Sequence, residues 1–476
     1  MLGIIFGAVL GSANAYLGLK VGLTISTSIP LAVIMVAAFA VLRPLIGKSS
    51  ILDVNIGQTA GSASSSLASG VVFTIPALFM WGLAPVLGQG YVQIALLALC
   101  GGVLGILFMI PLRPFLIVRE HKNLPYPEGT ASAAVLVAAD EGGTRARPVF
   151  VGLVLGSVYK LALSLGKFWP DEVDIKIPVL KKGVIGIEPT PALLGVGYVL
   201  GYRISAIMVA GGLLSWLGLI PMIAVFGEAL TSPLFPELFP KGSSPQLISE
   251  MGAWDIWDRY IRYVGAGAVA AAGIIAVGKA LPIMIASVRE GIRGLAARGQ
   301  LVTARPIRTV RDLPMTVVLL GVGFVLLILV MIPGVLGSGN QLIFRVVAAV
   351  CIAFFAFLFV TVSSRIVGLV GVTSNPTSGM AIVTLIGASV LFYGLGWTDT
   401  AGKITVLMVG TVVCVAASMA GDISQDLKTG YIIGATPARQ QSAELIGSLV
   451  NAWVIAAVVL LLGSQYGFGS IDFPAP

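Results

Sequence analysis

Two carboxylates stand four residues apart in Gly421-Asp-Ile-Ser-Gln-Asp-Leu-Lys-Thr-Gly-Tyr431. That spacing puts Asp422 and Asp426 on one face of a helix, with Gln425 beside them and Lys428 in reach to neutralise one charge. Inside a lipid-embedded bundle such acids are candidate proton or cation carriers. Outside one they would only solvate a loop helix. A third acid, Glu128, lies in Asn123-Leu-Pro-Tyr-Pro-Glu-Gly-Thr-Ala131. Pro125 and Pro127 fix an extended backbone and Gly129 permits a sharp turn. A helix then begins near Thr130, and its dipole favours a carboxylate at Glu128. Glu128 reads either as a capping acid on a rigid loop or as a proton or cation ligand, and Tyr126 of the same segment is a candidate substrate contact.

A third polar cluster is Ser374-Asn-Pro-Thr-Ser-Gly379. Pro376 lacks an N–H, so helical bonding stops there. The freed carbonyls and the side chains of Thr373, Asn375, Thr377 and Ser378 then offer polar ligands between two apolar stretches. A half-helix from Thr377 would aim backbone amides at an anionic substrate group. The alternative is a proline kink satisfied by neighbouring hydroxyls. The stretch Gly57–Gly70 carries Gln58 and Ser62, Ser64, Ser65, Ser66 and Ser69. Such residues let helices pack closely and bond across the contact, or line a polar pathway in which Gln58 touches substrate.

The elements that must position these groups follow from composition. The 476 residues are 57% hydrophobic and 11% charged, with mean hydropathy +1.00. A soluble domain carries roughly 25% charged residues, so this apolar excess must face lipid. A span needs about 20 apolar residues, which leaves room for roughly ten to twelve. Apolar runs mark them near 2–17, 23–42, 58–81, 91–112, 148–166, 203–226, 259–280, 315–333, 345–362, 379–396, 404–420 and 442–463. The expected fold is therefore an all-α polytopic helical bundle of about 12 spans. Pro191–Tyr202, too short to cross, reads as re-entrant, and Arg365–Gly379 as a broken helix. Irregular backbone at membrane depth persists only where protein or a watery cavity surrounds it.

Lys and Arg outnumber Asp and Glu by 29 to 21. The excess sits in short loops, as the positive-inside bias requires, so no nucleic-acid partner is expected. Lys279–Arg311 is strongly basic and is placed in the cytoplasm; the acidic Glu228–Asp258 is placed outside. This divides the chain into an N-terminal half, 1–278, with external loop 227–258; a basic loop, 279–314; and a C-terminal half, 315–476. Gly18-Leu-Lys-Val-Gly-Leu-Thr and Gly368-Leu-Val-Gly-Val-Thr echo one another across it, as do Asn55–Gly61 and Met419–Gln425, so the halves read as related. Lys20 and Lys160 are isolated cations near or within apolar runs. Cys100, Cys351 and Cys414 lie apart in apolar runs, without disulfide or CxxC spacing. One histidine, His121, builds no histidine metal site. There is no Walker A sequence, zincin pair or GxSxG elbow, so neither enzymatic activity nor a cofactor or metal is expected. Met1 opens directly into an apolar helix, with no basic signal-peptide region.

Five stretches in order resemble the oligopeptide transporter (OPT) superfamily, in its prokaryotic and yellow-stripe-like branch. They are Asn14-Ala-Tyr-Leu-Gly-Leu-Lys-Val-Gly22, Asn123–Ala131, Ser374–Gly379, Asp422-Ile-Ser-Gln-Asp-Leu-Lys-Thr-Gly430 and Ala435-Thr-Pro-Ala-Arg-Gln-Gln441. The resemblance implies proton-coupled symport of small peptides or metal–chelate complexes by a bundle of related halves. It also implies further C-terminal helices, beyond Pro476, in the longer members. On this reading Asn375, Thr373, Thr377, Ser378, Tyr126 and Gln58 contact substrate, while Glu128, Asp422 and Asp426 carry protons or balance cationic charge. The implied partners are the lipid bilayer, protons, a peptide or chelate substrate and, in a homo-oligomer, a second copy. The implied location is the cell (inner or plasma) membrane, with many passes. The rival readings are a passive channel or facilitator and a non-transporting membrane scaffold.

Overall fold

The apolar runs fold as helices because, in lipid, a backbone segment must satisfy its own N–H and C=O groups. A computed structural model describes residues 1–21, 24–47, 49–81, 89–141, 147–170, 172–189, 191–234, 246–265, 267–268, 271–272, 275, 282, 307–337, 341–466 and 468. In chain order the helices are α1 (Leu2–Val21), α2 (Ser28–Ile46), α3 (Ile51–Val72), α4 (Pro76–Met80), α5 (Gln89–Met109), α6 (Pro127–Glu141), α7 (Arg147–Ser164), α8 (Pro191–Leu213), α9 (Ile220–Phe226), α10 (Ala253–Ile256), α11 (Met315–Met331), α12 (Leu342–Val370), α13 (Thr377–Gly394), α14 (Thr400–Ile433) and α15 (Pro437–Tyr466). Nine helical stretches among the described residues are long and apolar enough to cross a membrane. Large apolar side chains such as Leu320 and Phe324 stand exposed on α11, as lipid-facing positions require. This is an all-α polytopic membrane protein.

The described residues form two compact units, 1–140 with 269–476, and 141–268. In the second, an unanticipated antiparallel hairpin pairs β1 (Val173–Lys176) with β2 (Val184–Ile187), Val173 opposite Ile187. The expected re-entrant piece at 191–202 is the first part of α8, which breaks at Gly201 (φ 76°, ψ 169°). Ile220, Ala224, Ile248, Met251, Ile256 and Ile261 make a local core. The basic loop 279–311, expected in the cytoplasm, lies outside the described residues apart from Pro282 and 307–311, as do much of the span near 259–280 and residues 235–245 of the acidic loop expected outside.

The first unit is built around α14. Every residue from Thr405 to Gly430 is buried, enclosed by α3, α5, α12, α13 and α15. The sequence pattern ends this span near 420, where the polar residues begin. The helix runs on to Ile433 and stops at Gly434, whose φ of 74° needs no side chain. Its polar end is helical because it is enclosed, so its charges face protein groups and not lipid.

Such enclosure requires close backbones. A Cβ on Gly105 of α5 would lie 2.5 Å from the Ala416 carbonyl oxygen, and one on Gly70 of α3 would lie 2.3 Å from Val415 Cα. Dispersion at this distance, not a hydrophobic force, holds membrane helices together. Gly105→Val is expected to cost about 1–3 kcal/mol by overpacking and to lower the thermal transition of the detergent-solubilised protein. Gly152→Ala, where nothing lies within 4 Å, serves as control; equal transitions in the two variants would refute the packing account.

Candidate functional site

On α14 the acids meet a matching row of hydroxyls. Ser62 and Ser66 of α3 are spaced four apart, as Asp422 and Asp426 are, so the two helices face each other rung for rung. Ser62 Oγ donates to Asp426 Oδ2 at 2.5 Å and Ser66 Oγ to Asp422 Oδ2 at 3.1 Å. Gln58 Nε2 donates to Asp426 Oδ1 at 2.9 Å, and Asn55 Nδ2 in turn to Gln58 Oε1 at 3.1 Å. Ser28, the first residue of α2, stands between the acids: its Oγ is 3.2 Å from Asp422 Oδ1 and 3.1 Å from Asp426 Oδ1. A hydroxyl has one proton to give, so Ser28 serves one carboxylate at a time. Both acids are fully buried, and among the described residues no ion pair involves either.

The expected neutralising role of Lys428 is not what the structure displays. Two residues beyond Asp426 is about 200° around a helix, so Lys428 leaves on the far side. Its Nζ donates to the carbonyls of His121 (3.2 Å) and Leu124 (3.0 Å), and lies 2.9 Å from His121 Nδ1. It also stands 5.4 Å from the centre of the Tyr126 ring, within cation–π range.

Glu128 enters from α6, which begins at Pro127 and not at Thr130 because proline is pre-set for a first helical position. Glu128 is buried, and its Oε1 accepts from Thr373 N (3.0 Å) and Oγ1 (2.9 Å). Thr373 belongs to the break between α12 and α13, opened by Gly371 (φ 86°) and closed by Pro376. A Cβ on Gly371 would fall 2.9 Å from Glu128 Oε1, so glycine admits the carboxylate. Gln425 fastens this junction: Nε2 donates to Val367 O at 2.8 Å, and Oε1 accepts from Gly129 N at 2.7 Å. Asn375 Nδ2 donates to Ser363 Oγ at 2.9 Å. It also lies against α14, where a Cβ on Gly421 would be 3.1 Å away.

The structure thus brings Glu128, Thr373 and Asn375 to one junction beside Asp422, and Gln58 to Asp426. Thr377 is buried with its amide bonded to Asn375 O at 2.8 Å, and Ser378 is half-buried beside it. Tyr126 is fully buried, its hydroxyl donating to Ser364 O at 3.1 Å. Five buried oxygens at this junction and on the adjoining segments lack a hydrogen-bond partner: Ser26 Oγ, Thr27 Oγ1, Glu128 Oε2, Ser132 Oγ and Asn375 Oδ1. Buried polar atoms are normally paired, and acceptors held open on three chain segments suit a ligand that brings N–H donors. Among the described residues no group of three or more His, Cys, Asp or Glu is arranged to hold a metal ion.

Sequence reasoning missed Ser28, since a helix-start serine is common, and Glu444 of α15, which is buried within electrostatic reach of Asp426 and Asp422. A lone acid in the apolar run 442–463 was the available signal for Glu444.

A polytopic helical membrane protein with carboxylates and broken helices buried in its bundle is the architecture of a small-solute carrier class. The comparisons make this specific. Residues 1–476 match the family model described as OPT oligopeptide transporter protein, and the chain belongs to that family. A Haemophilus influenzae protein named "Putative oligopeptide transporter" is 32% identical over 478 residues, 96% of this chain and 71% of its own length. A similarly named Saccharomyces cerevisiae protein is 31% identical over 103 residues, 21% of this chain and 14% of that protein.

The His121–Lys428 contact yields a pH dependence. Partial burial, then the charges of Lys428 and Lys122, hold the imidazole below its ordinary 6.5. Neutral Nδ1 accepts from Lys428; a protonated ring has no acceptor left. The native state therefore binds the proton less well than the unfolded chain, and the stability tied to this contact falls as pH drops below 6.5. As His121 is the chain's one histidine, NMR titration of the untagged protein should give a single imidazole midpoint below 6.5, shifted upward in Lys428→Gln. An unshifted midpoint in that variant would dismiss the contact.

Proposed function

We propose that this protein is a proton-coupled secondary transporter that imports small oligopeptides, or peptide-like metal chelates, across the cell membrane by alternating access. The observation that carries the reading is the Asp422–Ser28–Asp426 bridge, fully buried and with no counter-cation among the described residues. Two ionised carboxylates sharing a hydroxyl repel strongly in a low-dielectric interior, so such a pair favours binding a proton. The protonated acid donates to Ser28 Oγ, while Ser28 donates to the ionised partner. The hydroxyl is then satisfied in both directions, and the proton changes owner without moving a helix.

The substrate side of the proposal rests on the open acceptors. Glu128 Oε2 and Asn375 Oδ1 suit the ammonium and amide N–H groups of a short peptide, or the amines of a peptide-like chelator. Both relatives are named as oligopeptide transporters, which supports a peptide-like cargo. Tyr126 props the junction from behind, and Gln58 serves the proton pair. Loop 279–314 faces the cytoplasm on the positive-inside rule. The two halves, related by their broken segments, would rock about this centre.

Proteoliposome uptake tests the proposal, with a screen of di- to tetrapeptides and ferric chelates under an imposed inward proton gradient. Accumulation should follow the gradient. Asp422→Asn and Asp426→Asn should each lower it by at least about tenfold, the equivalent of about 1.4 kcal/mol, while counterflow exchange persists. Glu128→Gln should weaken substrate affinity. Uptake that ignores the gradient, with both Asn variants transporting normally, would end the coupling proposal, and unsaturable downhill flux without counterflow would mean a channel.

A further inference from the structure

A third carboxyl, Glu444, is buried on α15, the helix that follows α14. Glu444 has 0% exposure, and both its carboxyl oxygens lie buried without a hydrogen-bond partner. Gln440, four residues earlier on the same face, donates through Nε2 to the Asp426 carbonyl at 2.7 Å. It thereby seats α15 on the acid-bearing turn of α14. Asn451, seven residues later, is also fully buried with both side-chain amide atoms unpartnered. Between them α3 comes very close: a Cβ on Gly447 would fall 2.0 Å from the Ala60 carbonyl oxygen. Asp426 and Asp422 are the charged groups that act on Glu444; α1, α3 and α5, also packed against α15, bring no described acid or base that does.

Among the described residues Glu444 therefore makes no side-chain hydrogen bond that holds the bundle together. An ionised carboxylate buried with no partner is costly, so a carboxyl in this position is suited to holding a proton. The N-terminal end of α15 opens on a cavity of about 830 Å³ lined by Arg308, Arg311 and Arg439, among others. Glu444 lies five residues along the helix from Arg439, about 7.5 Å at 1.5 Å per residue, and Arg439 lines that basic cavity.

We propose that Glu444 is a third proton-binding carboxyl, exchanging its proton with the Asp422–Asp426 pair and passing it toward the arginine-lined cavity. The inference rests on the proposed proton coupling of that pair. Glu444 first releases its own proton to water in the cavity; the O–H bond of protonated Asp426 then breaks, leaving its electron pair on the new carboxylate. An O–H bond forms on the ionised Glu444 oxygen, directly or through an intervening hydroxyl, and total charge is unchanged.

Infrared titration of the full chain in liposomes reads this without a substrate. The C=O stretch of protonated carboxyls should lose a component in Glu444→Gln and regain a displaced one in Glu444→Asp. In the wild type that component should disappear as pH rises, and Asp426→Asn should shift its midpoint. Gel filtration of each variant checks folding, and Glu444→Asp keeps the test decisive where Gln perturbs packing. A Gln variant spectrum identical to wild type, or a Glu444 band that never titrates, overturns the inference. Gradient-driven uptake by Asp426→Asn separates the two claims. If that variant still couples while the Glu444 band titrates, the pair fails as coupling site and Glu444 stands as a proton-binding carboxyl. If it uncouples while Glu444 is spectroscopically silent, only the third carboxyl fails.

Discussion

Two carboxylates buried on one helix, with no counter-cation among the described residues, set the terms for everything around them. Each needs hydrogen-bond donors, and lipid supplies none. The donors come from α2 and α3: Ser28, Gln58, Ser62 and Ser66. A serine side chain reaches only a short way, so α3 must run within touching distance of α14. That is why α3 presents a face of glycine, alanine and serine, and why Val415 of α14 sits where a Gly70 side chain would be. The apolar core and the polar centre are thus one requirement: small residues bring the backbones together, and their closeness lets hydroxyls reach the acids.

The same logic explains the segments that do not run straight. Glu128 reaches the interior only because α12 stops at Gly371, where the chain leaves room for the carboxylate and turns its Thr373 amide toward it. Pro376 prevents the helix from resuming early. Gln425, on α14 between the two acids, bonds to Val367 of α12 just before this gap and to Gly129 beside Glu128. Its amide ties α6 and α12 to the helix that carries Asp422 and Asp426.

The hydrophobic spans and the polar interruptions were legible because lipid imposes a simple rule on composition, and the helices around 315–333 and 345–362 follow it directly. Three things were not. Where α14 ends depends on enclosure: Asp422–Lys428 looks like a loop until α3, α12 and α15 surround it. The direction of Lys428 follows from helical phase, which a reading by nearness in sequence overlooks. The donors Ser28 and Gln440 come from elements far apart in sequence, and nothing local marks them. The glutamines that close Ala435-Thr-Pro-Ala-Arg-Gln-Gln441 carry no local sign of their partners; in the structure Gln440 bonds to the Asp426 carbonyl and Gln441 to Asp312.

On the proposed reading, this connectivity is also how substrate and proton would sense one another. Asn375 touches α14 at Gly421, the residue before Asp422, and Glu128 is joined to the Asn375 loop through Thr373. A peptide drawing on Glu128 Oε2 and Asn375 Oδ1 pulls on a loop that abuts the first acid. Ser26, whose amide donates to Thr373 Oγ1 at 3.3 Å, lies two residues before Ser28. Ser28 hands its single proton to one aspartate or the other, so a small displacement of the 24–28 segment changes which acid is served. Coupling then needs no long pathway, since Ser26, which bonds to the ligand loop, and Ser28, the bridging hydroxyl, are two residues apart in the chain.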